Sequence, residues 1–301
     1  MPYLIFLSVC ATWSISFILM KRAGEAFSPV AIAAGRVLAG VAVLGLLWAW
    51  RERRWNLRWR DVPVMAVVVV AGCAWPYYIQ PWLITTQGNG SAFMAMMVSC
   101  VPLLTILISI PVLGVRPSLR QGIGVVGAIA CLAVLLYDGW QRQIPLSDVA
   151  LAFTVPLGYA FTNTLIRRYL PHVSPLLLTL VTFVVSLVFL LPLALVAPSP
   201  QLKSDSTLPI ALAALAFLGV VGTGLATLLF NKLIREHGPL FAGMTTNLVP
   251  IGAVLVGWFD AEQVTLPQVG ALIGILAMVT LVQFRAASVA VEVEPSTKEA
   301  D

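Results

Sequence analysis

The chain has 301 residues, 59% of them hydrophobic and only 10% charged. Soluble domains carry about a quarter charged residues, and disordered chains need low hydrophobicity, so both classes are excluded and a polytopic membrane protein remains. The net charge of +5 comes from basic residues at the ends of apolar runs, which speaks for membrane orientation rather than a nucleic-acid partner.

A bilayer span needs about 20 apolar residues. Ten segments qualify, near 2–20, 29–50, 62–84, 91–113, 120–137, 146–166, 174–197, 208–231, 239–258 and 265–284. The first has no basic leader and a long apolar run, so it is read as a retained span rather than a signal peptide. Short Pro- or Gly-marked connections follow, "SP" at 28–29 and 174–175, "RP" at 116–117 and "GP" at 238–239. Residues 285–301, polar and acidic, read as a disordered cytoplasmic tail. With the N-terminus inside, 13 Lys and Arg fall in cytoplasmic loops or the tail and 4 fall outside, which sets both termini in the cytoplasm of an inner-membrane protein. Lys21 and Arg22 go against that vote. "RERRWNLRWRD" (51–61) reads as a cytoplasmic loop on an anionic leaflet. Cys10, Cys73, Cys100 and Cys131 lie in apolar runs without Cys-x-x-Cys or Cys/His clustering, so neither a disulfide framework nor a metal site is indicated. His172 and His237 fall in loops and read as solvated.

The chain repeats itself. "WSISFILMKRAGEAFSP" (13–29) aligns without gaps on "YAFTNTLIRRYLPHVSP" (159–175), an offset of 146. "GSAFMAMMVSCVPLLTIL" (90–107) aligns on "GPLFAGMTTNLVPIGAVL" (238–255), an offset of 148. Two halves of five spans, 1–137 and 146–284, follow. Five is odd, so the second half starts on the opposite face of the membrane. The expected fold is therefore all-α and integral to the membrane: ten helices in two inverted five-helix repeats around a central cavity.

Polar residues inside the spans mark the candidate site. Pro102 and Pro250 fall mid-helix at matching places and read as paired hinges, since each removes one helical hydrogen bond. "WPYYIQPW" (75–82) sets Tyr77, Tyr78 and Trp82 away from the interface where aromatic residues usually gather, as one wall of a cavity or as helix packing. Met96 joins that wall. Thr223, Thr227 and Asn231 share a helix face, and Thr245 and Asn247 precede the Pro250 hinge. These polar faces serve either binding or interhelical contact. Trp13 and Ser16, matched by Tyr159 and Thr162 in the repeat, complete the substrate contacts. Arg36 sits about two turns, roughly 10 Å, inside the second span. It either snorkels to the interface or needs an anion. No Asp or Glu lies mid-span, so a proton-driven cation exchanger lacks its chemical basis. A fixed cation suits a carboxylate-bearing substrate instead.

These same residues resemble the drug/metabolite transporter superfamily, specifically its EamA-type permeases of ten helices in two repeats. "WSISFILMK" (13–21) is similar to the family's first-helix pattern W-G-x-x-F-x-x-x-K, with Ser14 in place of glycine. "SPVAIAAGRVLAG" (28–40) is similar to S-P-x-x-x-x-x-x-R and sets the family arginine at Arg36. "LGVVGTGLATLLFNKLIREHG" (218–238) resembles the eighth-helix pattern. Val101 and Val249 stand before the prolines where the family often has glutamate, and Val115 follows Gly114 where its Gly-Glu would stand, which removes the groups for a proton-coupling role. The resemblance covers about 3–284. It implies an inner-membrane carrier, often an exporter of amino acids or related metabolites, with no cofactor and no hydrolysis. The fifth and tenth helices would flank the central cavity.

The expected function is export of small organic metabolites by alternating access. A broad-specificity efflux carrier of hydrophobic compounds is the second reading, and a non-transporting scaffold or intramembrane enzyme the third. No P-loop, H-E-x-x-H or Ser–His pair within a span supports catalysis. The expected partners are a small-molecule substrate and the lipid bilayer, with no nucleic acid. A homodimer is compatible with the sequence.

Overall fold

The computed structural model describes residues 2–52, 54–88, 90–113, 118–141, 143–198, 207–243 and 245–283. The expected tail, 285–301, lies outside them. The described residues form helices and their connections, with no strand. Eight helices are long and apolar enough to cross a bilayer. We label them α1 (Pro2–Ala23), α2 (Pro29–Arg51), α3 (Trp59–Thr85), α4 (Ser91–Val112), α5 (Leu119–Gln141), α6 (Leu146–Tyr169), α7 (Pro175–Val196) and α8 (Thr207–Phe230). Two shorter apolar helices follow, α9 (Thr245–Phe259) and α10 (Leu266–Gln283).

The apolar runs become helices because a chain in lipid must satisfy its own backbone. Local chemistry fixes where they start. Ser28 caps α2, its Oγ accepting from Ala31 N at 3.4 Å, and Pro29 follows where a missing N–H costs nothing. Ser174 caps α7 in the same way, accepting from Leu177 N at 3.2 Å ahead of Pro175. The helix that completes α8 runs from Ala226 to Gly243, through Gly238 and Pro239, where the sequence suggests a connection. A proline removes one bond of the ladder without obliging a helix to stop.

Two helices carry a wider turn. α3 is π-helical over Val70–Ala74, and α8 over Leu218–Leu225. In α3 the cause is Pro76, which cannot donate to the carbonyl four residues back, so the turn before it widens. In α8 Thr223 Oγ1 donates to Leu218 O at 3.0 Å, satisfying a carbonyl in the widened stretch.

The first five helices pack on the last five. α1 lies against α8 and α9, α2 against α7 and α8, α3 and α4 against α6, and α5 against α10. The α5–α10 crossing is reciprocal. A Cβ on Gly127 would meet Met278 Sδ at 2.5 Å, and one on Gly274 would meet Cys131 Sγ. Gly274 is 147 residues after Gly127, and Met278 is 147 after Cys131. Each helix thus offers a glycine to the other's sulfur-bearing residue, and the backbones approach closely as small residues allow. Between α1 and α9, Ser14 Oγ lies 2.9 Å from Val249 O and 2.7 Å from Cys10 O, and a Cβ on Gly252 would collide with it.

Candidate functional site

Arg36, Gly40 and Leu44 follow one another at helical spacing on the buried face of α2. Arg36 is 6% exposed, so it does not snorkel. Its guanidinium carbon sits 3.9 Å over the Tyr77 ring from α3. Nε donates to Thr223 Oγ1 of α8 at 3.2 Å, and one terminal nitrogen lies 3.7 Å from Met20 Sδ of α1. All three partners are neutral. The ring face attracts the cation, an interaction of about 2 kcal/mol when desolvated. Thr223 gives its own proton to Leu218 O, so its lone pairs face Arg36. Arg36 therefore keeps unspent donors for an acceptor in the interior.

The aromatic run splits. Tyr77 turns towards α7, its ring 6.1 Å from Phe183, within a cluster that includes Val37, Leu44 and Cys73. Trp82, half-buried, borders a second cluster containing Met20, Met96 and Val249, and Tyr78 touches both. Trp13 borders the second cluster too, donating Nε1 to Gly222 O at 3.1 Å. So does Tyr159, whose hydroxyl accepts from Gln80 Nε2 at 3.1 Å. Met96 is fully buried, with Met94, Met97 and Met20 beside it. Ser16 is buried, with its hydroxyl spent on Thr12 O at 2.8 Å and facing Gly222.

The residues of the expected second wall lie on α9 and on the helix that completes α8. Thr245 is buried in the α1–α9 contact, where its carbonyl faces Cys10 Sγ at 3.9 Å. Asn247 is half-buried on α9. The side chain of Asn231 lies outside the described residues, while Thr227 Oγ1 donates to Thr223 O at 2.6 Å. The two prolines differ. α4 breaks at Ser99–Cys100 just before Pro102, with Ser99 Oγ donating back to Met96 O at 2.5 Å. Pro250 lies inside α9 without such a break.

An ionic cluster at the Lys21 end of the bundle was not anticipated. Lys21 Nζ lies 2.5 Å from Asp260 Oδ2 and 3.1 Å from Glu262 Oε1. Arg22 pairs with Asp260 and, at 3.0 Å, with Glu25. Glu262 also caps α4: Ser91 N and Oγ donate to Oε1 at 3.1 and 2.9 Å, and Ala92 N to Oε2 at 3.0 Å. Burial pushes the Glu262 carboxyl up. The Ala92 and Ser91 amides, Lys21 and the Ser91 hydroxyl outweigh it and hold the group below the usual carboxylate range. One signal was present in the sequence: the orientation expected from the other cations leaves Lys21 and Arg22 on the disfavoured side, and acidic partners offset them. At the opposite end, His172 Nε2 lies 2.9 Å from Asp61 Oδ2, and Asn56 Nδ2 donates to the His172 carbonyl at 2.7 Å. His172 is therefore a tie between the α2–α3 and α6–α7 connections, where the sequence suggests a solvated ring.

Among the described residues no group of three or more His, Cys, Asp or Glu is placed to hold a metal.

Comparison with known proteins bears on this geometry. A family model described as the EamA-like transporter family matches residues 1–137 and again 146–284. An uncharacterised transporter of Bacillus subtilis (strain 168), YyaM, is 25% identical over 288 residues, covering 92% of each chain. A protein crystal structure superposes with a TM-score of 0.65 at 17% identity, covering 95% of this chain and 98% of that one.

Proposed function

Because the chain belongs to the EamA-like transporter family, and is accordingly a multi-pass membrane transporter, we propose that it exports small carboxylate-bearing metabolites, neutral amino acids foremost. One observation carries this reading. Arg36 is buried against neutral partners drawn from both halves of the sequence, Met20 and Tyr77 from the first and Thr223 from the second. A buried cation without a fixed counter-anion is costly to keep, and a solute carboxylate would relieve that cost. Both halves touch Arg36, so a change in their relative placement changes how well it holds an anion. Such a difference in affinity between two states is what alternating access requires.

An inverted-repeat arrangement is part of the proposal. It is supported by the matched caps at Ser28 and Ser174, the π-turns at Val70–Ala74 and Leu218–Leu225, and the reciprocal α5–α10 glycines. On this reading both termini face the cytoplasm, and Trp13, Tyr78, Trp82 and Met96 line the solute's path.

The test is counterflow in proteoliposomes loaded with unlabelled neutral amino acids. Wild type exchanges labelled solute across the sealed bilayer, and Arg36→Gln does not. Equal exchange by both proteins removes Arg36 from the reading. A second reading, efflux of varied hydrophobic compounds, draws on the buried methionines Met20, Met94, Met96 and Met97, whose side chains adapt to many shapes. It expects Arg36→Gln to be tolerated.

A further inference from the structure

A cavity of about 230 Å³ opens beside the ionic cluster. Ile84 and Phe93 form its apolar side, Gly88 and Gly90 its rim, and Lys21, Glu262 and Gln268 its polar side. Gly90 stands at φ +79°, a conformation that favours glycine, and this turns the Ser91 and Ala92 amides onto Glu262.

The donors and acceptors of this wall do not balance. Glu262 is nearly filled: Oε1 takes three donors, and Oε2 takes Ala92 N and keeps room for one more. Lys21 has three N–H groups and uses two. Gln268 is 1% exposed. Its Oε1 accepts from Thr265 N at 3.3 Å, which turns the NH₂ end the other way. Thr265 is itself held, since its Oγ1 accepts from Gln268 N and donates to Asp138 Oδ1 at 2.7 Å. Gln268 Nε2 has no partner. A buried amide donor left so costs about 1–3 kcal/mol, and the chain keeps it at a cavity wall. Lys21 and Gln268 hold unspent N–H groups, the Gln268 amide being covered until its side chain turns to a solute, and Glu262 has one acceptor position left, on Oε2. That inventory fits a carboxylate.

Net charge narrows the class. Lys21 and Arg22 face Glu25, Asp260 and Glu262, so the ion-paired cluster carries one negative charge in excess, and behind Thr265 the buried Asp138 carboxyl is a further acidic group. A simple monoanion meets that excess, whereas a zwitterion adds no net charge and turns its ammonium towards it. The volume equals about eight waters at roughly 30 Å³ each, enough for an amino acid of leucine's size.

We propose that this cavity is a second solute site, at the mouth of the Lys21 end, that binds small apolar zwitterions through Lys21 and Gln268. A carboxylate there competes with Asp260 and Glu262 for Lys21. Docking thus loosens the tie between α1 and the α9–α10 connection. That gating role rests on the carrier reading above, but the binding site does not.

The experiment measures L-leucine binding to the full-length protein in detergent, with 4-methylpentanoate and isoamylamine as analogues lacking one pole. Arg36→Gln is the background, so that the interior arginine contributes nothing. Binding of leucine that weakens at least about tenfold in Gln268→Met, by loss of a charge-assisted hydrogen bond, supports the site. Gln263→Trp, a change at an exposed position on the same cavity, is expected to block leucine sterically and guards against a folding defect in Gln268→Met. Absence of leucine binding, indifference to either substitution, or equal binding of isoamylamine overturns it. Counterflow separates the two proposals. Wild type that binds leucine through Gln268 but exchanges no solute ends the carrier reading and leaves the site. Wild type that exchanges solute with no Gln268-dependent binding ends the site and leaves the carrier. Unchanged half-saturation of counterflow in Gln268→Met overturns the gating role.

Discussion

The Arg36 guanidinium carbon lies 3.9 Å above the face of Tyr77, and no carboxylate shares that contact. The pair joins α2 to α3 at a depth where an uncompensated charge is expensive. Tyr77→Leu keeps bulk and removes the ring face. We expect it to lower the thermal midpoint, at a cost of about 2 kcal/mol. Tyr77→Phe keeps the face and should stay near wild type. Scanning fluorimetry of the two variants checks this, and equal midpoints would mean that Tyr77 serves only as packing.

The α5–α10 crossing predicts an asymmetric pair of outcomes. Met278 is long and flexible and can give way to a Cβ at Gly127, whereas Cys131 is short and cannot. Gly274→Ala should therefore destabilise by about 1–3 kcal/mol, and Gly127→Ala by less. Cys131→Ala removes the colliding sulfur, so adding it to Gly274→Ala should recover most of the loss. Denaturation midpoints of the four proteins decide the matter.

The buried Gln80 donates to the half-buried Tyr159 hydroxyl, a hydrogen bond between α3 and α6. Tyr159→Phe strands the Gln80 amide and should cost about 1–3 kcal/mol. Adding Gln80→Leu removes the stranded group, and the double variant should be more stable than Tyr159→Phe alone. A double variant less stable than either single one would mean that the two side chains act independently.

For the ionic cluster the sign follows from the Glu262 carboxyl, whose value in the folded protein is depressed below its ordinary 4.5. A group of this kind contributes stability that is complete above its unfolded value and lost as pH falls through the folded one. The Lys21–Glu262 contribution is then constant from neutral pH down to about 4.5 and fades below it. Glu262→Gln should lower the midpoint at pH 7 and shrink the difference from wild type below pH 4. A constant difference across that range would show that Glu262 acts through shape, not charge.

The apolar helices and the Ser-Pro helix starts were legible because each rests on local pattern, apolar length and a cap before proline. The lone charge of Arg36 stood out in the same way, but local pattern left it open between snorkelling and an interior anion. The partners were not legible. Tyr77 faces Arg36 and α7 while its neighbour Tyr78 also reaches the second cluster, and no spacing rule anticipates that division. Thr245 reads as a site residue from its polarity, and its burial between α1 and α9 is a tertiary contact that polarity does not announce. Asp260 and Glu262 read as loop carboxylates because their cations lie some 240 residues earlier in the chain.

The division between the two tyrosines traces back to the π-turn at Val70–Ala74. One residue more than an α-turn needs is taken up there, and each residue of an α-helix advances the side chains by about 100°. Every side chain from Trp75 to Thr85 thus inherits its compass bearing from those five residues. Deleting one of them would leave the sequence of the aromatic run intact and swing it by more than a quarter turn. Arg36 would then face whatever the rotation delivered, so the phase of α3 is an inherited trait as binding for the site as the identity of Tyr77.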